Sequence, residues 1–154
     1  MFSRLSRGYK VSTPGAGVAA ICFFLPWILV SCNRQPVAQL SGWDLAAGTT
    51  VGSGFSAQQI PGTPLIFLVF LAALGVFALA YFALQRGYLT KLDGFGLIGI
   101  GALPLLMLFY QFSGSQAEAA RQGYRIEFQY GLWGLVLGYI AVIVGGIMNW
   151  RESK

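Results

Sequence analysis

Apolar positions fall along this chain in long, charge-free runs, with polar and Gly-rich stretches between them. Four runs reach the roughly 20 residues that a bilayer core demands at 1.5 Å per helical residue. They cover 11–31, 64–85, 94–112 and 130–150. Thr63-Pro64 opens the second run with a capping hydroxyl and a proline at the first helical position, and Ser12-Thr13-Pro14 repeats that signal at the first. Asp93 reads as the N-cap of the third. Pro26 and Pro104 fall inside the first and third runs, where each frees a carbonyl and bends a helix.

The linking segments carry a different period. In 124–130, Tyr124, Ile126, Phe128 and Tyr130 alternate with Arg125, Glu127 and Gln129, the period of a half-buried strand. Ser115-Gln116-Ala117-Glu118 is a capping box that predicts a separate short helix, stopped at Gly123. Pro36 to Ser41 reads as a second short strand ended by Gly42, and the GTTVGSG stretch over 48–54 as a turn-rich link. The expected arrangement is a small sheet made by pairing loops 32–63 and 114–129, with Trp43 packed beneath it. A lone hairpin is marginal, so such a cap must lean on helix ends or on a partner. Gly42-Trp43-Asp44-Leu45 is the most distinctive patch of the longer loop. Trp43 as a plain interfacial anchor stands beside that reading.

Composition agrees with a membrane solution. Of 154 residues, 56% are hydrophobic and 10% charged, against about 25% charged in soluble domains. Mean hydropathy is +0.65. The net charge of +5 does not form a nucleic-acid-binding stripe, because the cations flank the apolar runs. Arg4, Arg7, Lys10, Arg86, Lys91, Arg151 and Lys154 gather on one side, and Arg34, Arg121 and Arg125 on the other. The positive-inside rule then places both termini and loop 86–93 in the cytoplasm. Trp27, Trp43, Trp133 and Trp150, with Tyr81, Tyr110 and Tyr130, lie near run ends or in the outer loops, as interfacial aromatics do. The fold expected is an all-α integral membrane protein, a four-transmembrane-helix bundle with a β-containing extracytoplasmic cap, in a bacterial cytoplasmic membrane.

Little catalytic chemistry is on offer. The sequence has no histidine and two cysteines, which removes the usual general base and leaves too few thiols for a four-thiolate metal site. No ionisable residue lies inside the four runs, so a proton relay has no carrier. Asp44, Glu118 and Glu127 read as cap and surface groups. No catalytic, cofactor or metal site is assigned, and an enzyme is not expected. Leu29-Val30-Ser31-Cys32 also fits a lipoprotein signal, which makes Cys32 a candidate lipidation site with 1–31 removed. On a continuous helix Cys22 and Cys32 stand roughly 15 Å apart, too far for a disulfide, and Cys22 reads as a small packing residue.

The clearest packing signal is in the fourth run. Gly131, Gly134, Gly138, Ala141 and Gly145 are spaced 3, 4, 3, 4, which keeps them on one stripe where another backbone can approach closely. The stripe either seats this helix in its own bundle or receives a partner helix, a second copy or a lipid. A non-enzymatic accessory, assembly or scaffold subunit follows, whose partners are membrane lipids and a membrane protein or a second copy, with no nucleic acid. The alternatives are a homo-oligomeric channel or passive facilitator, and a lipoprotein processed at Cys32 with three remaining spans.

Four runs with a long first outer loop and a shorter second one resemble the layout of claudin-type tetraspan proteins. The resemblance is topological. That family's paired loop cysteines are missing here, and Gly131-Leu132-Trp133 lies at the fourth run instead of in the first loop. No residue role is carried over.

Overall fold

The computed structural model describes residues 6–32, 35–51, 58–87, 90–121 and 124–153. In chain order these form α1 (Arg7–Cys22), β1 (Pro26–Cys32), β2 (Gln35–Ser41), α2 (Gly42–Ala47), β3 (Thr49–Val51), β4 (Gln58–Ile60), α3 (Phe67–Arg86), α4 (Lys91–Arg121), β5 (Tyr124–Phe128) and α5 (Tyr130–Glu152). A 3₁₀ turn over Pro64–Ile66 leads into α3. The molecule is mostly helical, with a small sheet at one end.

Three helical stretches, Pro64–Arg86, Lys91–Ser113 and Tyr130–Glu152, are long and apolar enough to cross a membrane. The first run does not make a fourth such helix. Ser6, not Ser12, caps α1: its hydroxyl accepts from the Tyr9 amide, and Pro14 lies inside the helix. α1 stops at Cys22 after 16 residues, about 24 Å at 1.5 Å each. Pro26 does not kink a helix but opens β1, as proline is allowed to do at the first residue of a strand. Cys22 and Cys32 thus lie on different elements, and the helical spacing between them no longer applies.

β1 is the central strand of a three-stranded antiparallel sheet, in the order β2-β1-β5. The two outer segments therefore do not pair with each other. Each pairs with β1, with Ile28 opposite both Leu40 and Phe128 and Val30 opposite both Ala38 and Ile126. Those six side chains form the apolar face, and Ile28 and Leu40 are buried in the core beneath. Arg125 and Glu127 point the other way, 3.5 Å apart in an exposed ion pair. The alternation in 124–128 is thus a half-buried strand, as its period predicts. Thr49–Val51, expected as a link, pairs with Gln58–Ile60 in a separate two-stranded ribbon.

Trp43 does not lie under the sheet. It is 49% exposed, stacks on Phe24 and lies edge-on to Phe67. Trp27 fills that place instead, and a bulge explains why. Pro26 pairs with Ser41 and Ile28 with Leu40, leaving Trp27 as the extra residue, and such an insertion re-aims a side chain. Its indole is fully buried, lies edge-on to Phe23 and donates to the Cys22 carbonyl at 2.8 Å. That carbonyl is among the last four of α1, which have no intrahelical partner. Gly42 passes so close that a Cβ there would lie 2.5 Å from the indole.

Two capping boxes fix helix starts. Ser41 and Asp44 bond each other's backbone amides at the start of α2. Thr90 and Asp93 do the same for α4, so Asp93 is the third helical residue and not the cap. Asp93 is buried and faces Arg86, the last residue of α3, at 3.9 Å. Ser41→Ala is expected to cost about 1 kcal/mol, measured as a shift in unfolding midpoint in detergent. An unchanged midpoint would show that sheet pairing alone holds α2.

α4 continues to Arg121 without a break, so the helix expected at Ser115 is the end of α4 and not a separate element. Its expected stop, Gly123, lies outside the described residues, as do 52–54 of the Gly-rich stretch. Pro104 is buried within α4.

The helices alternate in direction, so each packs on antiparallel neighbours. Gly8 of α1 meets Asn149 of α5, and Gly94 of α4 meets Trp150. The start of α1, the end of α3, the start of α4 and the end of α5 thus gather Arg7, Lys10, Arg86, Lys91 and Arg151 at one end. The sheet occupies the other. Tyr139 of α5 donates its hydroxyl to the Val69 carbonyl of α3, and Ser6 donates to Asn149 Oδ1 at 2.5 Å.

Candidate functional site

The small-residue stripe of α5 is filled from within the chain. A Cβ on Gly138 would stand 2.6 Å from the Gly15 carbonyl oxygen and 3.0 Å from the Ala19 nitrogen. On Gly145 it would meet the Gly8 carbonyl and Ser12 Cβ, and on Gly134 the Cys22 Sγ at 2.6 Å. Gly131 is crowded by the Pro26 carbonyl, and Ala141 faces Gly15. The occupant is α1, whose Gly8, Ser12, Gly15, Ala19 and Cys22 are all buried. Their spacing of 4, 3, 4, 3 mirrors the α5 stripe. That matching series is present in the sequence, but the length of the first run points to a span and draws no notice to its small residues. Gly146, one position outside the stripe, seats α4 through the Gly94 carbonyl and Ile98.

The 42–45 patch is divided by its own fold. Gly42 is buried against Trp27 and Asp44 closes the capping box, so both shape the molecule's interior. Trp43 displays a half-exposed ring beside Phe24 and Phe67, and Leu45 leans on the core. Cys32 ends β1, with its backbone opposite Gln35 and Tyr124. Its side chain, and so its candidate lipidation, lies outside what is described. Cys22 is a buried free thiol.

A concave surface that the sequence did not reveal lies at the sheet end, between α4 and α5. It encloses about 590 Å³ and is almost wholly apolar. Leu106 and Phe109 stand on the α4 rim, Trp133 and Val136 on the α5 rim, and Leu132 forms the floor. Phe128 of β5 closes the upper end, with its ring edge-on to Phe112 at 5.6 Å. Leu106, Phe109 and Trp133 of the rim are well exposed, Phe109 at 76%, and Val136 is half-buried. No local spacing marks this groove, since its walls come from three elements brought together by tertiary packing.

Among the described residues no three Cys, Asp or Glu side chains cluster as a metal site would require. The described geometry offers apolar surface that can be held through shape and dispersion. No protein-family model matches this chain, and no characterised protein matches its sequence.

Proposed function

We propose that this chain is a non-enzymatic membrane protein that acts by helix packing, as an accessory or assembly subunit whose α4–α5 groove receives an apolar helix of a partner. The observation that carries this reading is the groove itself. Exposed leucine and phenylalanine are ordinary against lipid, because acyl chains are equally apolar and give no drive for association. A concavity between two helices is different, since ridges of a third helix can interlock with it and gain van der Waals contact that fluid lipid fills less well. The α5 stripe is not available for that role, being covered by α1.

The chain is read as lying in a bacterial cytoplasmic membrane, with its basic end and both termini in the cytoplasm. Support comes from five cations at that end, against Arg125 as the sheet-end cation whose side chain is described. On this reading α1 runs across the membrane alongside α5 although it is short, because its Gly face packs on α5. An intact N-terminal segment fits this reading better than processing at Cys32. Removal of 1–31 would strip α1 from the α5 stripe and leave β2 and β5 without their shared strand.

The test is native mass spectrometry of the chain extracted gently from its own membranes. Val136→Trp fills the groove, while Leu71→Trp adds the same ring on the exposed face of α3. The expected result is co-purifying polypeptides in fixed stoichiometry, reduced about tenfold or more by Val136→Trp and unaffected by Leu71→Trp. Partners retained by both variants would overturn the groove as the docking site. A homo-oligomer without partners would move the channel reading ahead.

A further inference from the structure

A smaller cleft of about 350 Å³ lies at the basic end, where the first turn of α4 meets the last turn of α5. Lys91, Trp150, Arg151 and Ser153 line it. The two cations differ from Arg86, whose charge is met by Asp93. Neither Lys91 nor Arg151 has an ion-pair partner among the described residues. Of the two described carboxylates nearby, Asp93 is buried and bonded to Thr90, and Glu152 is exposed. Trp150 supplies an apolar wall, its ring 6.0 Å from that of Phe95. Its backbone is fixed by Gly94, where a Cβ would come within 2.8 Å of the Trp150 nitrogen.

A cleft lined by two cations that have no ion-pair partner among the described residues, and by an aromatic wall, selects a ligand that is anionic at one point and apolar beside it. Its level matters too, because it sits where two span-length helices end, the depth at which headgroups lie. Basic pockets between transmembrane helices bind anionic headgroups for this reason. We propose that the Lys91–Arg151 cleft binds the phosphate of an anionic phospholipid, with the glycerol and first methylenes against Trp150. The assignment depends on the chain lying in a membrane and not on the assembly reading, since the cleft and the α4–α5 groove occupy opposite ends of the bundle.

The experiment uses the full chain in detergent micelles, titrated with phosphatidylglycerol or phosphatidylcholine and read by native mass spectrometry for retained lipid. Preferential retention of phosphatidylglycerol is expected, and K91Q/R151Q should weaken it about 10–30-fold. R7Q/K10Q removes the same charge from exposed positions at the same end but outside the cleft, and should change retention less than about threefold. Equal weakening by both pairs would leave only diffuse attraction and overturn the site. Displacement of the lipid by an equal concentration of inorganic phosphate would make the ligand free phosphate and overturn the lipid assignment. The Val136→Trp variant should retain phosphatidylglycerol like the unmodified chain, so the two readings fail separately.

Discussion

Gly138→Leu is expected to abolish the packed bundle, and Leu137→Gly to leave it standing. At Gly138 the neighbours are main-chain atoms of α1, the Gly15 oxygen and the Ala19 nitrogen. Backbone cannot rotate away as a side chain can, so the first added carbon already forces the helices apart. Overpacking commonly costs about 1–3 kcal/mol, and a leucine wedged against backbone belongs at or beyond the upper end. Separation of α1 and α5 would also pull on β1, which follows α1 directly. Leu137 is 65% exposed, and its loss removes lipid-facing surface and adds a glycine, about 1 kcal/mol of helix propensity. The readout is accumulation in membranes together with the unfolding midpoint in detergent. Equal tolerance of both changes would show that the stripe does not hold the helices. Gly15→Leu, the same contact approached from α1, should match Gly138→Leu.

Trp27→Ala should be nearly as damaging, at about 3–5 kcal/mol, the range for emptying a fully buried aromatic site. Two losses are combined there. The indole fills the space between Phe23 and Gly42, and its N–H satisfies the last carbonyl of α1. Trp27→Phe separates them, keeping much of the volume while leaving the Cys22 carbonyl to the Leu25 amide alone, at a cost of about 0.5–1.5 kcal/mol. If Trp27→Ala and Trp43→Ala proved equally mild, the sheet would not depend on a buried wedge. Trp43, being half exposed, should cost far less than Trp27.

How much of this was legible can be judged element by element. The helices over Pro64–Arg86 and Tyr130–Glu152 were plain, because each is an apolar run of span length with no proline inside it to end the helix. β5 was plain because one face is wet, which writes a period of two into Arg125 and Glu127. β1 was hidden by the opposite circumstance. Its sequence, PWILVSC, is a short apolar run joined to a helical one, and periodicity cannot tell such a strand from the end of a helix. Pro26 is the available signal, and inside a long apolar run it predicts a kink as readily as a strand start. The boundary at Ser115 failed because a capping box is local chemistry, and a helix already under way has no need of a new cap. For the site, the α5 stripe was legible and its partner on α1 was equally so in principle. The α4–α5 groove and the Lys91–Arg151 cleft were not, since each exists only where residues distant in sequence meet.

The pairing of α1 with α5 also sets a timetable. α1 and β1 leave the ribosome first, yet the surfaces that cover them reside in β5 and α5, roughly 100 residues later. At about 5–20 residues per second that is an interval of about 5–20 s. Throughout it a Gly-lined helix too short to span comfortably, and a strand with one edge open, must wait without their final neighbours. Shielding α1 during those seconds would act on the route to the bundle and leave the finished bundle's stability unchanged.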